Sequence, residues 1–219
     1  METILQIVQS FKIGAPGWAF MWLLLIVAVF AIALTIERGY YVTVRSSINA
    51  PLFMKKIREL VSKGKYKEAI SLCRAAKNKA LPYVVLAGLN KVATTNTVDF
   101  RTVQNAVDEG TLEVIPKLQE RTSYLATLAN VATLLGLMGT IYGLILAFSS
   151  VSAPGIDAAE KSRLLSAGIS TAMNTTLVGL AIAVPTLISY TFIHNKTLRI
   201  IDEIDEHTVK LVNLITGNQ

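Results

Sequence analysis

The chain of 219 residues is 52% hydrophobic and only 16% charged, well below the roughly 25% charge usual in a soluble domain. With a mean hydropathy of +0.49, that composition argues against an ordinary soluble enzyme. The net charge of +6 has to be read first for where it lies along the chain, because flanking Lys and Arg set membrane orientation before they signal a ligand.

The first element is an uncharged run over residues 13–36, 24 residues long, between Lys12 and Glu37. A hydrocarbon core of about 30 Å needs about 20 helical residues, so this run can cross a bilayer once. It is longer than a typical signal-peptide core, and Glu2 stands where a basic segment would be expected, so it reads as a retained anchor. Next comes a charged region, 38–122, that carries 15 of the 21 Lys and Arg residues. Within it, Leu52, Phe53, Ile57, Leu60 and Val61 fall at helical spacing, Gly64 breaks the pattern, and Tyr66, Ala69, Ile70 and Leu72 resume it. A helical hairpin is expected. Gly64 to Ala69 resembles part of one tetratricopeptide helix, but no second copy follows at a 34-residue period. A polar break at 94–99 is expected to end in Asp99 as a helix cap, and the helix carrying Val103, Val107 and Val114 is expected to run on into the next apolar segment.

Two more uncharged runs follow, 35 residues at 122–156 and 30 at 164–193. Each is long enough for one crossing and too short for two, so three spans are predicted. Residues 194–219 then continue as an amphipathic helix with Leu198, Ile201, Ile204, Leu211 and Val212 on one face. Within about 20 residues of the span ends, ten Lys and Arg lie on the side of 38–122 and 194–219, against three on the other. The expected organisation is therefore all-α. Residues 1–37 form an outer N-terminus and first span, and 38–122 a cytoplasmic helical region. Residues 123–193 carry the second and third spans around a short outer loop at about 149–163, and 194–219 are a cytoplasmic helix.

Chemistry has few places to reside. The two histidines, His194 and His207, form no metal-ligand pair, and neither a nucleophile elbow nor a phosphate loop is present. No catalytic residue, metal or cofactor is predicted. The basic residues are interleaved with acidic ones rather than gathered into a stripe, which argues against nucleic acid. Cys73, the single cysteine, reads as a small buried residue. The informative pattern lies in the last two runs. Gly136, Gly139 and Gly143 recur beside Thr133 and Thr140, while Ser170, Thr171, Asn174, Thr175 and Thr176 give the third run a polar edge. Small residues at such spacing let helices pack closely; a file of hydroxyls equally suits a polar passage for ions. Both readings stand at this point. With no ionisable group in any run, a proton relay would need a carboxylate from another polypeptide.

The string Gly136-Leu137-Met138-Gly139-Thr140-Ile141-Tyr142-Gly143, followed by Gly168 to Pro185 with its Thr175-Thr176 pair and Gly179, resembles the ExbB/TolQ/MotA family of ion-driven motor subunits. Three spans resemble the ExbB/TolQ branch more than the four-span MotA branch. The resemblance implies an inner-membrane ring, a homopentamer around two copies of an ExbD- or TolR-like single-span partner that supplies an essential Asp. It further implies a TonB- or TolA-like transducer. Thr140 and Thr176 match the family's pore-facing threonines, and Pro185 its third-span proline. Thr171 stands where ExbB-type chains typically carry Glu, which keeps sodium open as the coupling ion, with Asn174 and Thr175 as added polar groups. The implied function is a channel and motor subunit that uses the proton motive force to drive TonB-dependent uptake. Tol-type envelope maintenance, a gliding or stator motor and a non-conducting scaffold are the alternatives.

Overall fold

The computed structural model describes residues 7–13, 17–94, 99–152, 155 and 157–217, and among them the regular structure is entirely helical. In chain order the helices are α1 (Trp18–Tyr40), a π-helical turn (Tyr41–Ser46), α2 (Ala50–Ser62), α3 (Tyr66–Ala75), α4 (Ala80–Thr94), α5 (Phe100–Gln119), α6 (Thr122–Val151) and α7 (Ala158–Thr216). Three segments, carrying α1, α6 and α7, are long and apolar enough to cross a membrane. The helices form two compact units, one of Met1–Ile36 and Ser123–Thr191, the other of Glu37–Thr122 and Phe192–Gln219.

The first unit is a bundle of the apolar helices. Leu24 and Val27 of α1 meet Ala129 and Ala132 of α6 and Ala183 of α7, with Leu128, Leu135, Val178 and Ile182 packed around them. Phe20 lies against Tyr142, ring centroids 5.6 Å apart. The indole of Trp22 donates to the Phe11 carbonyl at 3.2 Å, tying the segment before α1 to its second turn. Large side chains elsewhere on α1, among them Val29, Phe30 and Ile32, point outward. α7 starts where Asp157 accepts the Glu160 amide at 2.7 Å, an N-cap of the usual kind.

The second unit is built from charged, amphipathic helices around an aliphatic core of Met54, Ile57, Val84, Val85, Leu89, Leu118, Ile204 and Leu211, all fully buried. The hairpin expected around Gly64 is α2 and α3, with Gly64 at φ +71°. Asn49 caps α2 by accepting the Leu52 amide at 3.2 Å, with Pro51 in the first turn. Asp99 does occupy the N-cap position of α5, but its side chain makes no capping hydrogen bond. The break at 94–99 falls largely on residues 95–98, and part of the loop expected at 149–163 on 153, 154 and 156, all outside the described residues.

One expectation is corrected. The helix through Val114 does not run on into the second apolar segment: α5 ends at Gln119, Arg121 takes φ +58°, and α6 begins at Thr122. The cause is visible in the charged residues at the break. Ending the helix leaves the Lys117 carbonyl without an amide four residues on, and Arg38, only 3% exposed, donates to it at 3.4 Å. Arg121 pairs with Glu37 at 3.1 Å, and Arg38 lies 3.8 Å from Glu120. α7, by contrast, continues through Pro185 to Thr216, 59 residues in one helix.

Candidate functional site

In the first unit α6 and α7 approach each other closely, and glycines make it possible. A Cβ placed on Gly136 would stand 3.2 Å from the Thr175 carbonyl oxygen and the Thr176 Cα; one on Gly139 would stand 2.5 Å from Thr175 Oγ1. Gly143 faces Ala172 at 2.9 Å by the same measure, and Gly179 faces the Ala132 carbonyl at 2.7 Å. Gly168 meets Ala147 in the same way. The two backbones therefore approach closely over several turns, in direct backbone contact at Gly136 and Gly179 and with only the small side chains of Ala147, Ala172 and Thr175 facing Gly168, Gly143 and Gly139. This is the small-residue packing used where lipid removes the hydrophobic drive for helix association.

The threonines sit in and beside this seam. Thr175, 1% exposed, donates its hydroxyl to Ala172 O at 2.7 Å and lies 3.4 Å from Gly136 O. Thr176 is half-buried and donates across the interface to the same Gly136 carbonyl at 3.0 Å. One turn along α6, Thr140 is half-buried and donates to Leu137 O at 2.6 Å. Thr171 donates to Ala167 O at 2.9 Å and, with Ser170 and Asn174, lines an open cavity of about 490 Å³ that Gln9, Ser10 and Lys12 border as well. In each case the hydroxyl hydrogen is committed to a backbone carbonyl, which leaves the oxygen lone pairs of Thr140, Thr171 and Thr176 as acceptors. Such oxygens can receive a proton-bearing carboxyl or water, or coordinate a hard cation; they cannot titrate. Among the described residues no group of three or more His, Cys, Asp or Glu is placed to hold a metal.

The structure thus brings Gly136, Gly139, Thr175, Thr176 and Gly179 into one contact, with Gly143 farther along it, and sets Thr171 and Asn174 in the neighbouring cavity. Pro185 lies within unbroken helix; lacking an amide hydrogen, it leaves the Ala181 carbonyl without its usual donor. Sequence reasoning did not single out Ala132 and Ala172 as the surfaces that receive Gly179 and Gly143, nor Lys12 as a wall of the cavity. Ala172 was legible in principle, one turn from Gly168 on the same face of α7.

Residues 76–206, including all of α6 and this part of α7, match the MotA/TolQ/ExbB proton channel family. The chain belongs to that family. A putative biopolymer transport protein, ExbB-like 3, from Synechocystis is 30% identical over 186 residues, covering 83% of each chain. A putative ExbB homologue from Methanothermobacter thermautotrophicus is 24% identical over 215 residues, covering 98% of this chain and 70% of its own. The fold is also that of a MotAB structure from C. jejuni, with a TM-score of 0.66 over 100% of this chain and 90% of that one at 16% identity. Members of this family are channel and transport-energising proteins of membranes, which agrees with the three long apolar helices.

Proposed function

We propose that this family member is an ExbB-like channel and motor subunit that couples the proton motive force across the bacterial inner membrane to work on a periplasmic or outer-membrane load, such as TonB-dependent transport. The N-terminus lies outside, 38–122 and 194–219 lie in the cytoplasm, and the chain assembles as a pentamer around an ExbD- or TolR-like helix bearing an Asp. A TonB- or TolA-like transducer carries the work onward. The observation that carries this reading is the pairing of an uncharged α6–α7 seam with hydroxyl oxygens left as acceptors on Thr140, Thr171 and Thr176. Those oxygens suit transient contact with a carboxylate that gains and loses a cation. Asn174 and Thr171 form the mouth of the pathway, and Pro185 leaves a carbonyl available farther along the same helix. The gradient supplies about 2.3 kcal/mol per charge per 100 mV.

A non-conducting scaffold is the competing reading, and the complete burial of Thr175 in the helix contact is the observation that favours it. Thr176→Val separates the two. It removes one interhelical hydrogen bond, about 1 kcal/mol or less, so the purified oligomer should survive. With its partner in liposomes, under a pH gradient or a sodium gradient in separate arms, the variant should lose flux and driven work. Unaltered flux in Thr176→Val would overturn the pathway assignment, and the arm in which wild type works identifies the ion.

A further inference from the structure

The second unit holds a concentration of uncompensated positive charge. A cavity of about 180 Å³ is lined by Arg45, Lys77, Lys79 and Lys117, with Ser46 and Asn78 between them and no acidic side chain in its wall. Lys117 is committed to Glu113 at 2.7 Å, and Lys79 donates to the Val44 carbonyl, a neutral acceptor that leaves its charge unbalanced. Arg45 stacks over Tyr41, 5.7 Å from the ring centroid. Among the described residues, neither Arg45, Lys77 nor Lys79 has a carboxylate within 4.0 Å. Ser46 is the independent sign of a ligand: it is 4% exposed, lines the cavity, and its hydroxyl has no hydrogen-bond partner among the described residues. Three cations held close together without an acid repel one another, and the unpartnered Ser46 hydroxyl opens onto the cavity, where it can donate. A bound oxyanion offsets the repulsion and accepts from that hydroxyl.

We propose that this cavity binds a phosphate group, held by Arg45, Lys77 and Lys79 with the Ser46 hydroxyl donating to one of its oxygens. The group comes either from an anionic phospholipid headgroup or from soluble phosphate. Sequence position favours the lipid: Arg45 is nine residues beyond Ile36, the last residue of the first uncharged run, and Lys117 is five before Thr122, the first of the second. Basic pockets so placed meet headgroups of the cytoplasmic leaflet. The lipid source rests on the membrane orientation proposed above; phosphate binding itself does not.

The test uses the full-length detergent-purified protein and native mass spectrometry with dihexanoyl phosphatidylglycerol, dihexanoyl phosphatidylcholine or inorganic phosphate. Phosphatidylglycerol should bind at least tenfold more tightly than phosphatidylcholine. Arg45→Gln/Lys77→Gln should lose that tenfold, while Lys161→Gln/Arg163→Gln, an equal charge change elsewhere, and Arg45→Lys/Lys77→Arg should keep it. Both glutamine substitutions are at exposed positions, and Lys77→Gln alone serves if the pair fails to fold. Displacement of the lipid by millimolar phosphate, or binding of phosphate alone, assigns the site to a soluble anion; lipid binding that phosphate does not displace assigns it to the membrane. Equal binding by wild type and the glutamine variants, or no binding of either anion, overturns the proposal. Thr176→Val should bind like wild type, so a failure of the motor reading leaves this result standing.

Discussion

The two units of this chain achieve close packing by opposite means. In the first, helices meet backbone to backbone at Gly136 and Gly179 and across small side chains at Gly139 and Gly143, while large apolar side chains such as Val29 and Phe30 face outward. In the second, large aliphatic side chains such as Met54, Val85 and Leu211 are fully buried, and the surface carries ion pairs, Lys117 with Glu113 and Arg199 with Glu203 among them. The difference follows from the solvent each surface suits. Burying a leucine away from water contributes about 1.5–3 kcal/mol, whereas lipid rewards no such burial and leaves contact area as the main source of helix association. A single sequence thus carries two packing rules, and the residue types switch where the charge begins.

Substitutions sharpen that contrast. The largest expected effect is at Gly179, where a Cβ would meet the Ala132 carbonyl oxygen at 2.7 Å. Gly179→Leu should separate α6 from α7 at a cost of about 3 kcal/mol or more, at or above the upper end of overpacking, and reduce recovery of folded protein from membranes. Gly39, with nothing within 4 Å of its Cβ position inside α1, is the matched control. Gly39→Ala should hold or raise the thermal midpoint, since alanine favours helix by about 1 kcal/mol over glycine. Equal losses at both positions would break the claim that the seam depends on glycine.

Next is Arg38, buried between the Lys117 carbonyl and the acidic pair Glu37 and Glu120. Arg38→Met should destabilise the second unit by about 1–3 kcal/mol, the cost of a buried acceptor left without its donor. Thermal unfolding in detergent reads the loss, and hydrogen exchange should place it at the 119–122 break.

A smaller effect is tied to pH. His207 is buried, its Nδ1 has no hydrogen-bond partner, and burial holds its pKa below the ordinary histidine value; Arg58 and Lys210 add to that, opposed by Glu206 and Glu203. The fold therefore prefers the neutral ring. Its contribution is complete above about pH 6.5, the usual unfolded value, and is lost as pH falls toward the depressed folded value, because the unfolded chain binds the proton first. The thermal midpoint should drop between pH 7.5 and 5.5, and His207→Leu should flatten that slope. The smallest effect belongs to Glu113→Gln, which removes exposed contacts to Lys117 and Tyr83 and should leave the midpoint unchanged, as exposed pairs generally do.

Much of the architecture is legible in the residues because membrane spans are written as uninterrupted runs: α1, α6 and α7 each carry most of one of the three stretches free of charge, α7 running on well past its own, and Gly64 marks the hairpin turn. The spacing of Gly136, Gly139 and Gly143 likewise announces a close helix contact. What resists reading is long-range or conformational. Arg121 has no feature that marks it for a left-handed backbone, and Arg38 finds its acceptor 79 residues away. Asp99 looks like a cap and forms no capping bond, while Asn49, which does cap, was not anticipated. Thr175 and Thr176 are adjacent and chemically identical, yet one is sealed in the seam and the other bridges it from the edge. Only the rotation of α7 against α6 distinguishes them.

Cys73 has a practical bearing on all these experiments. The thiol is fully enclosed, and burial pushes its pKa up to about 12, so at neutral pH it is neither accessible nor a thiolate. For maleimide and nitroxide chemistry the native protein therefore behaves as a cysteine-free background. A probe introduced at a single exposed position of α6 or α7 can report on motion in the assembled protein without first altering the wild-type sequence.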